Sequence, residues 1–171
     1  MLSGYNRDAM NTAERNGTQT LIGTWTRRQA EMYCKDLAAL TQEQYVAENG
    51  GVTRTAQNIT VEVAGFCQMV AGLVSNPGAP APTEEEAKAN TPTLDTIDDG
   101  KAAVTAGAEA LASAVENASE ETLGAMITPP WGGDAMPVVV LANIASSHIW
   151  YHDGQINFIQ ALNGDSEVHW M

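Results

Sequence analysis

The chain has 171 residues, enough for one domain with a full core, and its 44% hydrophobic and 17% charged content argues against a disordered polypeptide. Eight Lys and Arg stand against 21 Asp and Glu, a net charge of −13 with no basic cluster, which argues against a direct interface with nucleic acid. Cys34 and Cys67 fall in separate segments without a C-x-x-C pair and read as reduced thiols rather than a disulfide.

The N-terminal residues lack the basic-then-apolar pattern of a secretory leader, and no run of about 18 apolar residues is evident. The expectation is a soluble, cytoplasmic protein with no membrane partner. Residues 1–18 are polar and reach Asn16-Gly17, a stop signal, and so read as an arm or short helix outside the core. A first core helix is expected from Thr20 to Leu40, with Leu21, Trp25, Met32, Leu37 and Leu40 near helical spacing. Thr41-x-x-Gln44 is a capping signal and Asn49-Gly50-Gly51 a loop. A second helix is expected from Thr53 to Val74, its stripe being Ile59, Val63, Phe66, Val70 and Leu73. Ser75-Asn76-Pro77-Gly78 ends it, and a Pro- and Ala-rich stretch follows, with a short acidic turn at Glu84-Glu85-Glu86.

A third helix is expected from Leu94 to Ala118, with Ile97, Val104, Ala108, Leu111 and Val115 on one face. Thr128 to Gly133 is a loop. Pro137 suits the first turn of a fourth helix running to Leu162 and stopping at Asn163-Gly164. Val138-Val139-Val140 suits a strand by composition but flows into a helical pattern without a break. Four long amphipathic segments predict an all-α, antiparallel four-helix bundle over residues 19–164, with 165–171 as a C-terminal tail.

The chemistry-bearing residues concentrate on the last helix. His148 and His152 are four apart, so both imidazoles share one face and can reach one point. That spacing suits two ligands of one metal; it also suits an ordinary hydrogen-bonded pair. Leu141, Ile144 or Ala145, Gln155 and Ile159 continue the same face, which turns the pair toward the interior. On the second helix Glu62 lies between Ile59 and Phe66, where a carboxylate is costly unless it is paired, bound to a metal or at an edge open to water. Two histidines and a carboxylate suit Zn²⁺, Ni²⁺, Mn²⁺ or Fe²⁺ with positions left for water or substrate. Asn58, one turn before Glu62, is the alternative third ligand. Gln155 is placed to hydrogen-bond a ligand. His169 reads as a terminal surface residue, and Trp150 and Tyr151 as packing.

The stretch His148-Ile-Trp-Tyr-His152-Asp-Gly154-Gln155 resembles the H-x-x-x-H-x-G-Q signature of the DinB/YfiT-like superfamily, with Leu162-x-Gly164 following as in those proteins. The order of elements is also similar, including Thr55 at the start of the second helix. The resemblance implies a four-helix bundle, often dimeric, with a divalent metal held by three histidines, two of which match His148 and His152. The family's second-helix histidine is absent here, and Glu62 stands near its place. The resemblance further implies a metal-dependent enzyme similar to thiol-dependent transferases and isomerases, with a low-molecular-weight thiol such as bacillithiol or mycothiol as cofactor; the expectation drawn from it is a thiol-dependent S-transferase or a hydrolase acting on a small molecule. The alternatives are a non-catalytic small-molecule- or protein-binding bundle, with Glu62 and the histidines as a metal-free hydrogen-bond network, and a structural homodimer module.

Overall fold

The computed structural model describes residues 7–80, 83, 85, 86 and 91–170, with side chains from residue 17 onward. Its elements in chain order are α1 (Arg7–Ala38), α2 (Gln42–Val46), α3 (Ala56–Ser75), α4 (Ile97–Asn117), α5 (Glu120–Gly124), β1 (Met126–Ile127), β2 (Met136–Pro137) and α6 (Val138–Leu162). Among the described residues the protein is all-α apart from the β1–β2 ladder, which pairs Met126 with Pro137 and Ile127 with Met136. Each of α1 and α3 packs against both α4 and α6. The core between them is aliphatic and Ala-rich, centred on Tyr33, Leu37, Val63, Val70, Leu111, Leu141 and Ile149.

The helix starts follow from local chemistry. Thr55 accepts a hydrogen bond from Asn58 N and opens α3. Thr96 and Asp99 form a reciprocal capping box, which starts α4 at Ile97 rather than Leu94; Leu94 is buried in the preceding segment. Thr41 and Gln44 form a second capping box, enough to build the short α2. Pro137 caps α6 one position outside the helix, and Val138 N donates to Ala125 O, which ties α6 to the end of α5.

The structure corrects several expectations. Asn16-Gly17 does not stop a helix, because α1 is continuous from Arg7 through both residues; a helical Gly costs only about 1 kcal/mol relative to Ala, which burial further along the helix offsets. Residues 1–6 lie outside the described residues, as do Glu84 and Met171, while Glu85 and Glu86 are helical. Leu21 and Trp25 point outward; Ile22, Thr26, Gln29 and Tyr33 face the core instead. Val138, Val139 and Val140 form the first turn of α6, in line with the unbroken helical pattern rather than their strand-like composition. α3 is long and apolar enough to cross a membrane by length and composition, contrary to the reading of the bare sequence, but half of it is buried in the bundle as a core helix.

Two glycines have opposite roles. A Cβ on Gly107 meets Ala64 O at 2.8 Å, so the α3–α4 contact requires hydrogen there, whereas a Cβ on Gly17 meets nothing within 4 Å. Gly107→Ala is therefore expected to lower stability by about 1–3 kcal/mol and Gly17→Ala to raise it by about 0.5–1 kcal/mol, both read by thermal or denaturant unfolding. Equal effects of the two substitutions contradict the packing described.

Candidate metal centre

Glu62 lies on the second turn of α3, and His148 and His152 lie one turn apart on α6. Because α3 and α6 pack side by side, the three side chains converge, with one ligand atom of each within 4.8 Å of the others. Glu62 Oε1 stands 3.3 Å from His148 Nε2 and 3.3 Å from His152 Nε2. His152 is buried, His148 is one-fifth exposed, and Glu62 is at an edge with part of its carboxylate in solvent.

The proton positions follow from the neighbours. Arg54, in the segment before α3, pairs its guanidinium with Glu62 Oε2 and donates to Gln155 Oε1 at 3.3 Å. That donor fixes the Gln155 oxygen as the atom facing His152 Nδ1, 2.7 Å away. His152 Nδ1 therefore carries the hydrogen and Nε2 carries a lone pair. Arg54 Nη2 lies 3.4 Å from the same Nδ1, where two donors crowd without bonding. Burial, followed by the charge of Arg54, lowers the His152 pKa against the raising effect of the Gln155 contact. His148 is pushed down to about 4 by burial and by the proximity of His152 and Arg54. Both rings are thus neutral at pH 7.

Among the described residues the two Nε2 atoms have no hydrogen-bond partner, although Glu62 Oε1 is within 3.3 Å of each. For His152 this places a lone pair against a carboxylate lone pair, an arrangement that costs free energy unless a cation lies between them. The spacing fits such an ion: ligand atoms about 2.0–2.1 Å from a tetrahedral centre are about 3.3–3.4 Å from one another. Two imidazoles and one carboxylate form a donor set with positions left open.

The sequence pattern of the DinB superfamily matches residues 24–156 of the chain. The chain belongs to the DinB superfamily. No curated protein matches it at a significant level. Within this DinB fold Glu62, His148 and His152 come together, and Gln155 Oε1 lies against His152 Nδ1. Asn58 is exposed near the start of α3, its backbone N–H engaged by Thr55. His169 pairs with Asp165 at 2.8 Å instead, and the half-exposed Trp150 stacks between Trp25 and Trp170. Cys34 and Cys67 are both free thiols.

Sequence reasoning missed Arg54, whose only signal is a basic residue directly before the cap Thr55. It also missed Phe66, a supposed core residue, whose ring lies 4.5 Å from His148 and 5.8 Å from Trp131 of the 128–133 loop. A third omission is Asp153, beside His152 in sequence but on the side of α6 facing α1. Asp153 and Asp36 are both buried, and each leaves one Oδ1 without a partner, while Asn157 donates to Asp36 Oδ2 at 2.8 Å and Gln160 to Asp36 O. Burial and the facing Asp36 carboxyl raise the Asp153 pKa, so one proton is held between the two acids.

The two groups of residues act oppositely on stability. The depressed histidine pKa values mean that the unfolded chain binds more protons between about pH 4 and 6.5, so stability rises with pH there. The raised Asp153 pKa means that the folded chain binds the extra proton, a stabilisation present below the unfolded value and lost as pH rises through the folded one. Metal-free protein is therefore expected to lose melting temperature as pH rises from about 6.5 to 8, and Asp153→Asn to abolish that slope and to be more stable than the parent above pH 8 by about 1–2 kcal/mol. A parallel decline in the variant contradicts the shared proton.

Proposed function

We propose that the chain is a metal-dependent enzyme built on the antiparallel four-helix bundle of its superfamily, a thiol-dependent S-transferase or a hydrolase acting on a small molecule. Glu62 Oε1, His148 Nε2 and His152 Nε2 hold a divalent ion, Zn²⁺, Ni²⁺, Mn²⁺ or Fe²⁺. The observation that supports this most is the pair of buried, unpartnered Nε2 atoms aimed at one carboxylate oxygen. A hydrogen-bond network without metal accounts for it less well, since the His152 nitrogen has no hydrogen to give.

When bound, a divalent ion lowers the pKa of a thiol or water on its open position and so supplies a nucleophile at neutral pH. The chain's own residues prepare that position. Gln155 holds the His152 ring with Nε2 inward. Arg54 engages Glu62 Oε2 and leaves Oε1 to face the histidines. Its guanidinium, also part-exposed, adds positive charge at the mouth, which favours an anionic substrate group or thiolate in a chain that is otherwise strongly acidic. Phe66 packs on His148 and is itself packed by Trp131, which limits the access of water to that ring.

Metal analysis of untagged protein tests the reading. Wild type is expected to carry about one divalent ion per chain, and the His148→Ala/His152→Ala double variant none; equal content in both overturns it. Gln155→Leu is expected to weaken metal affinity by about 10–100-fold without unfolding the protein, measured by competition with a chromogenic chelator. Because burial lowers the pKa of both histidines, that of His148 to about 4, the ion is expected to stay bound at pH 7 and to leave as pH approaches 4.

A further inference from the structure

The outer face of α3 continues away from Glu62 as a stripe that the metal site does not use. Glu62, Gly65, Met69 and Gly72 recur every three or four residues and line a groove of about 820 Å³. Ala103 and Ala106 of α4 form its opposite wall, and Pro80 and Pro92 its rim. The groove exists because α3 and α4 are drawn together at Ala64 and Gly107 on their inner side, while small residues face each other on the outer side. Its volume is that of a small-molecule site, and among the described residues no Lys or Arg lines it. A Cβ placed on Gly65 or Gly72 meets nothing within 4 Å, so the space above both glycines is open.

One end of the groove is defined by chemistry. Glu62 belongs both to its lining and to the candidate metal centre. Phe66 lines the groove and packs on His148. The apolar trough therefore ends beside the candidate metal centre, sharing Glu62 with it and Phe66 with the packing of His148, although no residue of α6 lines it. Away from Glu62 the described lining is mostly apolar, with Gln68 and Thr91 as its polar side chains, so an anionic ligand meets no cation there and a strongly polar one has few partners. We propose that the groove holds the hydrocarbon body of the substrate, an extended alkyl, acyl or aryl chain, with a single sulfur or oxygen head at Glu62 and the histidine pair. The placement of the head rests on the metal-centre reading; the binding of the hydrocarbon body does not.

Calorimetric titration of the full-length chain with straight-chain alcohols, first without metal, separates the two. Saturable one-to-one binding is expected, tightening about fourfold per added methylene from butanol to octanol. Gly65→Leu/Gly72→Leu, which fills the groove from α3 without a clash, is expected to weaken octanol binding at least tenfold while leaving the melting temperature unchanged or higher. Ala106→Trp is expected to do the same from the facing wall. Absence of saturable binding, or undiminished binding in both variants, overturns the proposal. With zinc loaded, 1-octanethiol is expected to bind at least tenfold tighter than 1-octanol; equal affinities overturn the placement of the head. If zinc does not load but octanol binding and its loss in the variants persist, the metal-centre reading falls and the groove stands.

Discussion

Two imidazole nitrogens without a hydrogen-bond partner among the described residues, buried between helices and facing a carboxylate oxygen, set the terms for the rest of this molecule. Each has been removed from water and neither has been given a protein donor. A fold tolerates such an arrangement where a cation satisfies three acceptors at once, and the 3.3 Å separations suit that arrangement. The structure around them is organised to keep it so. α3 and α6 run side by side with Glu62 opposite the histidine turn, Gln155 fixes one tautomer, and Arg54 holds the outer carboxylate oxygen.

The departure from three histidines has a chemical consequence. A second-helix carboxylate brings a full negative charge where an imidazole brings none, and it requires a compensating cation in the absence of metal. Arg54 supplies that compensation. With a divalent ion in place, the charges of Glu62, Arg54 and the ion sum to about +2 in a chain of formal charge −13, so the site is a local positive field in an acidic protein. An anionic ligand atom, such as a thiolate, hydroxide or carboxylate, is the natural complement.

Much of this was legible from residue order. The four long helices showed in the 3.6-residue recurrence of apolar side chains, and His148-x-x-x-His152 with Gln155 marked the site because helical spacing alone brings them to one face. Glu62 showed as an acid interrupting an apolar stripe. What stayed hidden depends on tertiary contacts. Gly17 reads as a stop because glycine is a poor helix former, yet the helix continues. Trp25 and Leu21 fit the helical period but lie on its outer side, since α1 buries a second stripe that includes the polar Thr26, Gln29 and Asp36. Arg54 and Asp153 were invisible because their partners are 8 and 117 positions away, and nothing in local sequence announces such pairs.

X-ray absorption at the zinc edge on metal-loaded protein, combined with anomalous diffraction, tests the central claim most directly. The account predicts one ion per chain, bound to two imidazole nitrogens and one carboxylate oxygen at about 2.0–2.1 Å, its anomalous peak between Glu62 Oε1 and the Nε2 atoms of His148 and His152. An anomalous map with no peak there, or a peak held by other residues, contradicts it.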